Sequence, residues 1–198
     1  THLKMNSPER LNALSDEMIA ALQSELDGIA ADPAIRVVIL SGAGKAFCAG
    51  HDLKQMTAGR AAPDQGAAYF ADLFARCSKL MKTIRTLPQP VIAQVHGIAT
   101  AAGCQLVASC DMAVAADDTR FGVNGVNIGL FCSTPMVALS RNVHRKHAME
   151  MLLLGEAVTP SAALGYALFG AVTPFVQAYL RYAESEASPF VGAGVAWM

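Results

Sequence analysis

The chain has 198 residues, a formal net charge of −1, 53% hydrophobic residues and 16% charged ones. That length fills one core and is short for two domains. The near-neutral charge leaves no electrostatic footprint for nucleic acid, and no apolar run approaches the roughly 20 residues that cross a bilayer.

Ser15 is placed to cap a helix, with Asp16 and Glu17 in its first turn, where the helix dipole favours anions. Met18, Ile19, Leu22, Leu26 and Ile29 follow at helical spacing, and Asp32-Pro33 ends the helix. Arg36 to Leu40 reads as a buried strand, closed by Ser41-Gly-Ala-Gly44. A second helix is predicted from about Gln65 to Leu87, with an apolar stripe from Phe70 to Ile84 read as core, and Pro88-Gln-Pro90 stops it.

Val91 to Val95 is the next strand, Gly97 to Gly103 a small-residue turn, Cys104 to Cys110 a short helix and Asp111 to Ala116 a third strand. Strands alternating with helices predict an α/β fold with parallel pairing. Thr134-Pro135 and Thr159-Pro160 each read as an N-cap followed by Pro at the first helical position, opening helices over 136–142 and 161–168. Arg145 to Leu154 is a further helix, and a last one runs from Phe175 toward Ala187. The expected division is a core over 1–142 and a helical region over 143–198 of the same domain.

Five cysteines, an odd number without CxxC spacing, predict buried free thiols in a reducing compartment. His96, His144 and His147 have no partners at metal-ligand spacing, so no metal is expected. No signal peptide or Arg-rich transit segment is read at Thr1.

Two segments of small residues, Ala46-Phe-Cys-Ala-Gly-His-Asp-Leu53 and His96-Gly-Ile-Ala-Thr-Ala-Ala-Gly-Cys-Gln105, each form a turn beside a β-rich run. The second opens a helix. Such turns can aim backbone N–H groups at one carbonyl oxygen, an oxyanion hole whose sequence trace is small residues rather than reactive side chains. In chain order, Asn12-Ala-Leu14, the first segment with Lys54, Pro90 to Gly97, Ala102 to Leu106 and Ser109-Cys-Asp111 resemble the crotonase superfamily, the enoyl-CoA hydratase/isomerase group. Ala99 to Asp111 and Val126 to Pro135 resemble one divergent subgroup of it.

The resemblance implies a crotonase-like spiral of ββα units, with a C-terminal helical region used in trimerisation. It also implies an N-terminal strand before the segment that begins at Thr1. It implies an acyl-CoA thioester as substrate or ligand, no other cofactor, and a homotrimer or dimer of trimers. It implies a location in a bacterial cytoplasm or the mitochondrial matrix.

It assigns the two oxyanion-hole N–H groups to His51 and Ala102. It maps coenzyme A contacts onto Arg10, Leu11, Ala13, Ala49, Asp52 and Leu53. The two glutamates of family hydratases fall at Gln105 and, by counting past Phe121-Gly122, at Gly125. A Gln orients water but does not take its proton, and Gly offers no group at all.

The His51 ring, with an ordinary pKa near neutrality, is the tempting candidate for a substitute acid or base, but the backbone role of His51 comes first. Asp52 is expected to anchor the loop by local hydrogen bonds, and Asn124 and Asn127 to form turns. Three functions fit this pattern. One is an enoyl-CoA hydratase/isomerase relative with weakened hydration. Another is a non-catalytic acyl-CoA binding or regulatory protein. The third is a decarboxylase of a malonyl-type thioester, whose substrate brings its own leaving carboxylate.

Overall fold

The computed structural model describes residues 1–165. The first sheet holds β1 (His2–Met5), β2 (Val38–Gly42), β3 (Val91–Val95) and β5 (Met112–Ala115), in that order and parallel throughout. Its register aligns Leu3, Leu40, Ala93 and Ala113, all buried, in one row across the sheet. Parallel neighbours need crossovers. Between β2 and β3 run α2 (Leu53–Arg60) and α3 (Ala67–Thr86), and before β2 runs α1 (Asp16–Ala31).

Ser15 caps α1 as expected, its side chain accepting from the Met18 N–H. The stripe of α1 then meets α3 over the sheet. Leu22 and Leu26, Leu80 and Ile84, and Leu106 converge on Leu3, Val38 and Leu40. Each such side chain contributes about 1.5–3 kcal/mol by leaving water.

A second, two-stranded parallel sheet pairs β4 (Ile98–Thr100) with β6 (Arg120–Gly122). Single bridges extend it: Leu14 with His51, Cys48 with Ala99, and Phe121 with Val158. Between its strands lies α4 (Ala102–Ser109). After β6 come a 3-10 turn (Asn124–Ile128), α5 (Ser133–Asn142), α6 (Arg145–Leu154) and α7 (Pro160–Gly165).

Several boundaries differ from the sequence reading. The strand expected at Arg36 begins at Val38 and continues through Gly42. The turn from Gly97 to Gly103 contains β4, and the helix expected from Cys104 starts at Ala102. Cys132, not Thr134, is the residue before α5, so Pro135 lies within its first turn, where no backbone N–H is needed. Thr159 does cap α7, accepting from the Ala162 N–H at 3.3 Å. β1, α2 and β6 were not read from the sequence. The helix predicted from Phe175 lies outside the described residues.

Candidate active site

The first turn is held from both sides. On one side Phe47 and Cys48 donate to the carbonyls of His96 and Ile98, and Thr100 donates back to Cys48, each at 3.0 Å. On the other, Ala49 donates to Leu11 at 3.0 Å and Leu14 donates to Gly50 at 2.7 Å. Asn12, fully buried, staples the neighbouring turn: its Nδ2 donates to the Ala43 and Ala46 carbonyls, and its Oδ1 accepts from the Ser7 N–H. Leu11 and Asn12 adopt positive φ, which this network holds in place.

The second turn ends at Ala101, a non-glycine residue at φ 51°, ψ −119°, whose N–H donates to the Gly122 carbonyl at 2.9 Å. The first helical bond of α4 is Gln105 N–H to the Ala101 carbonyl. Every residue of α4 is buried. A helix start leaves its first N–H groups without intrahelical acceptors.

Gly50 and Gly103 allow the two turns to touch. A Cβ on Gly50 would lie 3.0 Å from the Ala101 Cβ and 3.4 Å from the Ala102 nitrogen. A Cβ on Gly103 would overlap the Cys48 carbonyl oxygen. The bonds to Leu14 are made by the Gly50 carbonyl and the Asp52 N–H. That pattern turns the N–H of His51 to the opposite side, toward β4 and the start of α4. Among the described residues neither the His51 N–H nor the Ala102 N–H has a hydrogen-bond acceptor.

The side chains expected around this point divide into two groups. Asp52 caps α2, accepting from the Lys54 and Gln55 N–H groups, and pairs with Arg10 at 3.3 Å. The Ala49–Leu11 and Leu14–Gly50 bonds bring Leu11 and Ala13 to the same loop, and Leu53 projects from it, 58% exposed. Gln105 is 6% exposed, and its Oε1 is buried without a partner among the described residues.

Two of these positions are constrained by their surroundings. The His51 ring does not titrate near neutrality: burial lowers its pKa to about 4, with its Nε2 unpartnered and Phe74 edge-on at 5.9 Å. Gly125 is not an empty place for a carboxylate. A Cβ there would overlap the Leu130 carbonyl oxygen and approach the Cys132 Sγ to 2.7 Å. Sequence reasoning missed that contact, because its partners lie in the following loop. It also missed the Thr100 hydroxyl, which donates to Asn124 Oδ1 at 2.9 Å and ties β4 to the Gly125 turn. No cluster of metal-binding side chains exists among the described residues.

A cleft of about 550 Å³ opens between α3, α4 and α5. Phe74, at one end, is the residue that touches the His51 ring. Gln105, Cys77, Met81 and Ser109 form a buried floor, while Val137 and Ala138 of α5 form a wall.

The family model described as enoyl-CoA hydratase/isomerase matches residues 1–187. The chain belongs to the enoyl-CoA hydratase/isomerase family. It is 52% identical over 170 residues to the mitochondrial enoyl-CoA hydratase domain-containing protein 3 of Xenopus laevis, covering 86% of this chain and 56% of that protein. The human counterpart is 49% identical over 173 residues, covering 87% and 55%. The chain thus spans a little over half the length of these two relatives. Among solved structures, an enoyl-CoA hydratase of Mycobacterium smegmatis superposes with a TM-score of 0.83 at 54% identity, covering 93% of this chain and 69% of that one. Human enoyl-CoA hydratase domain-containing protein 3 superposes at 0.81 with 46% identity, covering 93% and 72%. The fold is therefore the crotonase fold.

Proposed function

We propose that this enoyl-CoA hydratase/isomerase relative binds an acyl-CoA thioester with its carbonyl oxygen between the N–H groups of His51 and Ala102. One observation carries the reading: two backbone donors without acceptors, from turns that the missing side chains at Gly50 and Gly103 allow to touch. Such donors stabilise negative charge developing on the oxygen, and removing one typically costs about 3–4 kcal/mol of barrier. The coenzyme A moiety lies over Arg10, Leu11, Ala13, Ala49 and Leu53, with Asp52 holding the loop. The acyl group enters the cleft past Phe74 and Gln105.

The site polarises a thioester but lacks the acid–base pair that hydration needs. Gln105 does not ionise, position 125 is filled by the 130–132 backbone and sulfur, and His51 is neutral and low in basicity. Weak hydration and retained binding are the expected combination. The surroundings are a mitochondrial matrix or a bacterial cytoplasm; the word mitochondrial in the names of the Xenopus and human relatives supports the first. Ile128, Leu130 and Phe131, with Leu153 and Leu154, leave large apolar side chains exposed, the kind of surface a homotrimer or dimer of trimers buries.

Purified protein assayed against crotonyl-CoA, a 3-enoyl-CoA and methylmalonyl-CoA, with binding measured by calorimetry, tests the reading. Binding with crotonyl-CoA turnover about 10²–10⁴-fold below a two-glutamate hydratase is expected. Ordinary hydratase turnover would overturn it. Turnover of methylmalonyl-CoA would assign decarboxylation to the same hole.

A further inference from the structure

The cleft is lined at one end by Phe74, whose ring touches that of His51, and further along α3 and α5 by a group of cations. Lys82 and Arg85 from α3 and Arg141 from α5 line it there, against a single lining carboxylate, Asp111. The Asp111 Oδ2 is engaged by the Val91 N–H at 2.8 Å. None of the three cations forms an ion pair among the described residues. Among the described residues Arg141 donates only to the Val137 carbonyl of its own helix.

The distance is set by α3. Phe74, beside His51, and Lys82 are eight residues apart on one helix, about 12 Å along its axis, and Arg85 is about one turn further. A medium-length acyl chain starting at the hole reaches that region. Phe74, Met81, Val137 and Ala138 would cover its methylenes. A carboxylate at the end of that tail would gain from these three exposed cations, and an uncharged tail would not.

We infer that the acyl group this site takes carries an anion at its distal end, a dicarboxylic acyl-CoA of medium length, with its free carboxylate met by Lys82, Arg85 and Arg141. This rests on the thioester reading above and names its substrate class. Gln105, a lining residue between the two ends, carries no charge, so the middle of the cleft offers the chain no competing ion. The charges at the far end would select the ligand by its tail, independently of its nucleotide portion.

The test compares two probes of equal length, octanoyl-CoA and suberyl-CoA, by calorimetry on the full chain. Suberyl-CoA is expected to bind about tenfold more tightly, since partly exposed ion pairs contribute up to about fivefold each, and the preference should shrink with added salt. In the triple variant Lys82→Gln, Arg85→Gln, Arg141→Gln the ratio of the two affinities should fall close to one. Folding of that variant is checked by its circular dichroism and melting curve, and each single variant should lower the ratio in part. Equal or reversed affinities in the wild-type protein overturn the inference and leave the thioester reading standing. A preference that survives in the triple variant removes the assignment to these cations. Failure of both probes and of coenzyme A itself overturns the thioester reading and this inference with it.

Discussion

Gly103 and Cys48 pack backbone against backbone: a Cβ at Gly103 would overlap the Cys48 carbonyl oxygen and lie 2.9 Å from both its carbonyl carbon and its Cβ. The Cys48 carbonyl is also the acceptor for Thr100, so it has no room to retreat. Gly103→Ala is therefore expected to destabilise the fold by about 1–3 kcal/mol, the range for overpacking a filled core. It should also separate the two turns and abolish acyl-CoA binding. Urea titration and calorimetry check this. Unchanged ligand affinity in the variant would count against the paired turns as the binding device.

Gln105 and Gly125 should respond differently to restored carboxylates. Gln105→Glu puts an ionisable group at a buried position lining the cleft, where desolvation raises its pKa and suits it to proton transfer. Crotonyl-CoA hydration should rise by at least about tenfold. Gly125→Glu should give no gain, because its first side-chain atom meets the Leu130 carbonyl. Its melting temperature should fall, and Gly125→Ala should show most of the same loss. A Gly125→Glu protein of wild-type stability would mean that the 130–132 segment moves aside.

Acid should weaken the fold through His51. Its folded pKa is about 4, below the ordinary 6.5, because burial penalises the charged ring. Between those values the unfolded chain binds more protons than the folded one. Stability is thus retained above pH 6.5 and falls as pH drops toward 4, by up to about 3 kcal/mol. Urea midpoints at pH 7 and 4.5, compared between wild type and His51→Gln, isolate this part from the carboxylates. The two proteins should differ more in pH dependence than at pH 7 alone.

The cysteines should be inert in the folded protein. All five are free; Cys48 and Cys104 are pushed up to about 12, and Cys77 to about 11, by burial. A thiol reagent at pH 8 should label the native protein slowly and all five positions once it is unfolded. Rapid labelling of Cys104 in the native state would show that the start of α4 opens.

Sedimentation should give a trimer or hexamer, with its interface covering the apolar side chains between Ile128 and Leu154. Replacing Ile128, 66% exposed, by Asp should shift the assembly toward monomer with little change in the melting temperature of the monomeric fold. A wild-type monomer at assay concentration would refute the proposed assembly.

The sequence revealed what is written in local chemistry. The Ser15 cap and the α1 stripe place that helix, and the prolines before Val91 and its β-branched run define β3. Elements without such marks were invisible. α2 buries none of its residues, so it has no apolar stripe to read. β4 and β6 have three residues each, too short for any alternation to register. At the site, the small-residue turns were legible because close approach demands small residues. The obstruction at Gly125 was not, since it comes from a carbonyl that any amino acid at position 130 would supply.

The proposed donors at His51 and Ala102 belong to the main chain, and this separates two kinds of constraint on the proposed site. Exchanging either residue for any amino acid but proline keeps its N–H, so variation there is filtered by space and backbone shape, not by reactivity. The roles proposed for the residue at 105 and for the cations at 82, 85 and 141 depend on side-chain chemistry instead. A duplicated copy of such a chain can change its reaction or its preferred acyl tail through a few side chains, while the part that grips the carbonyl is inherited intact.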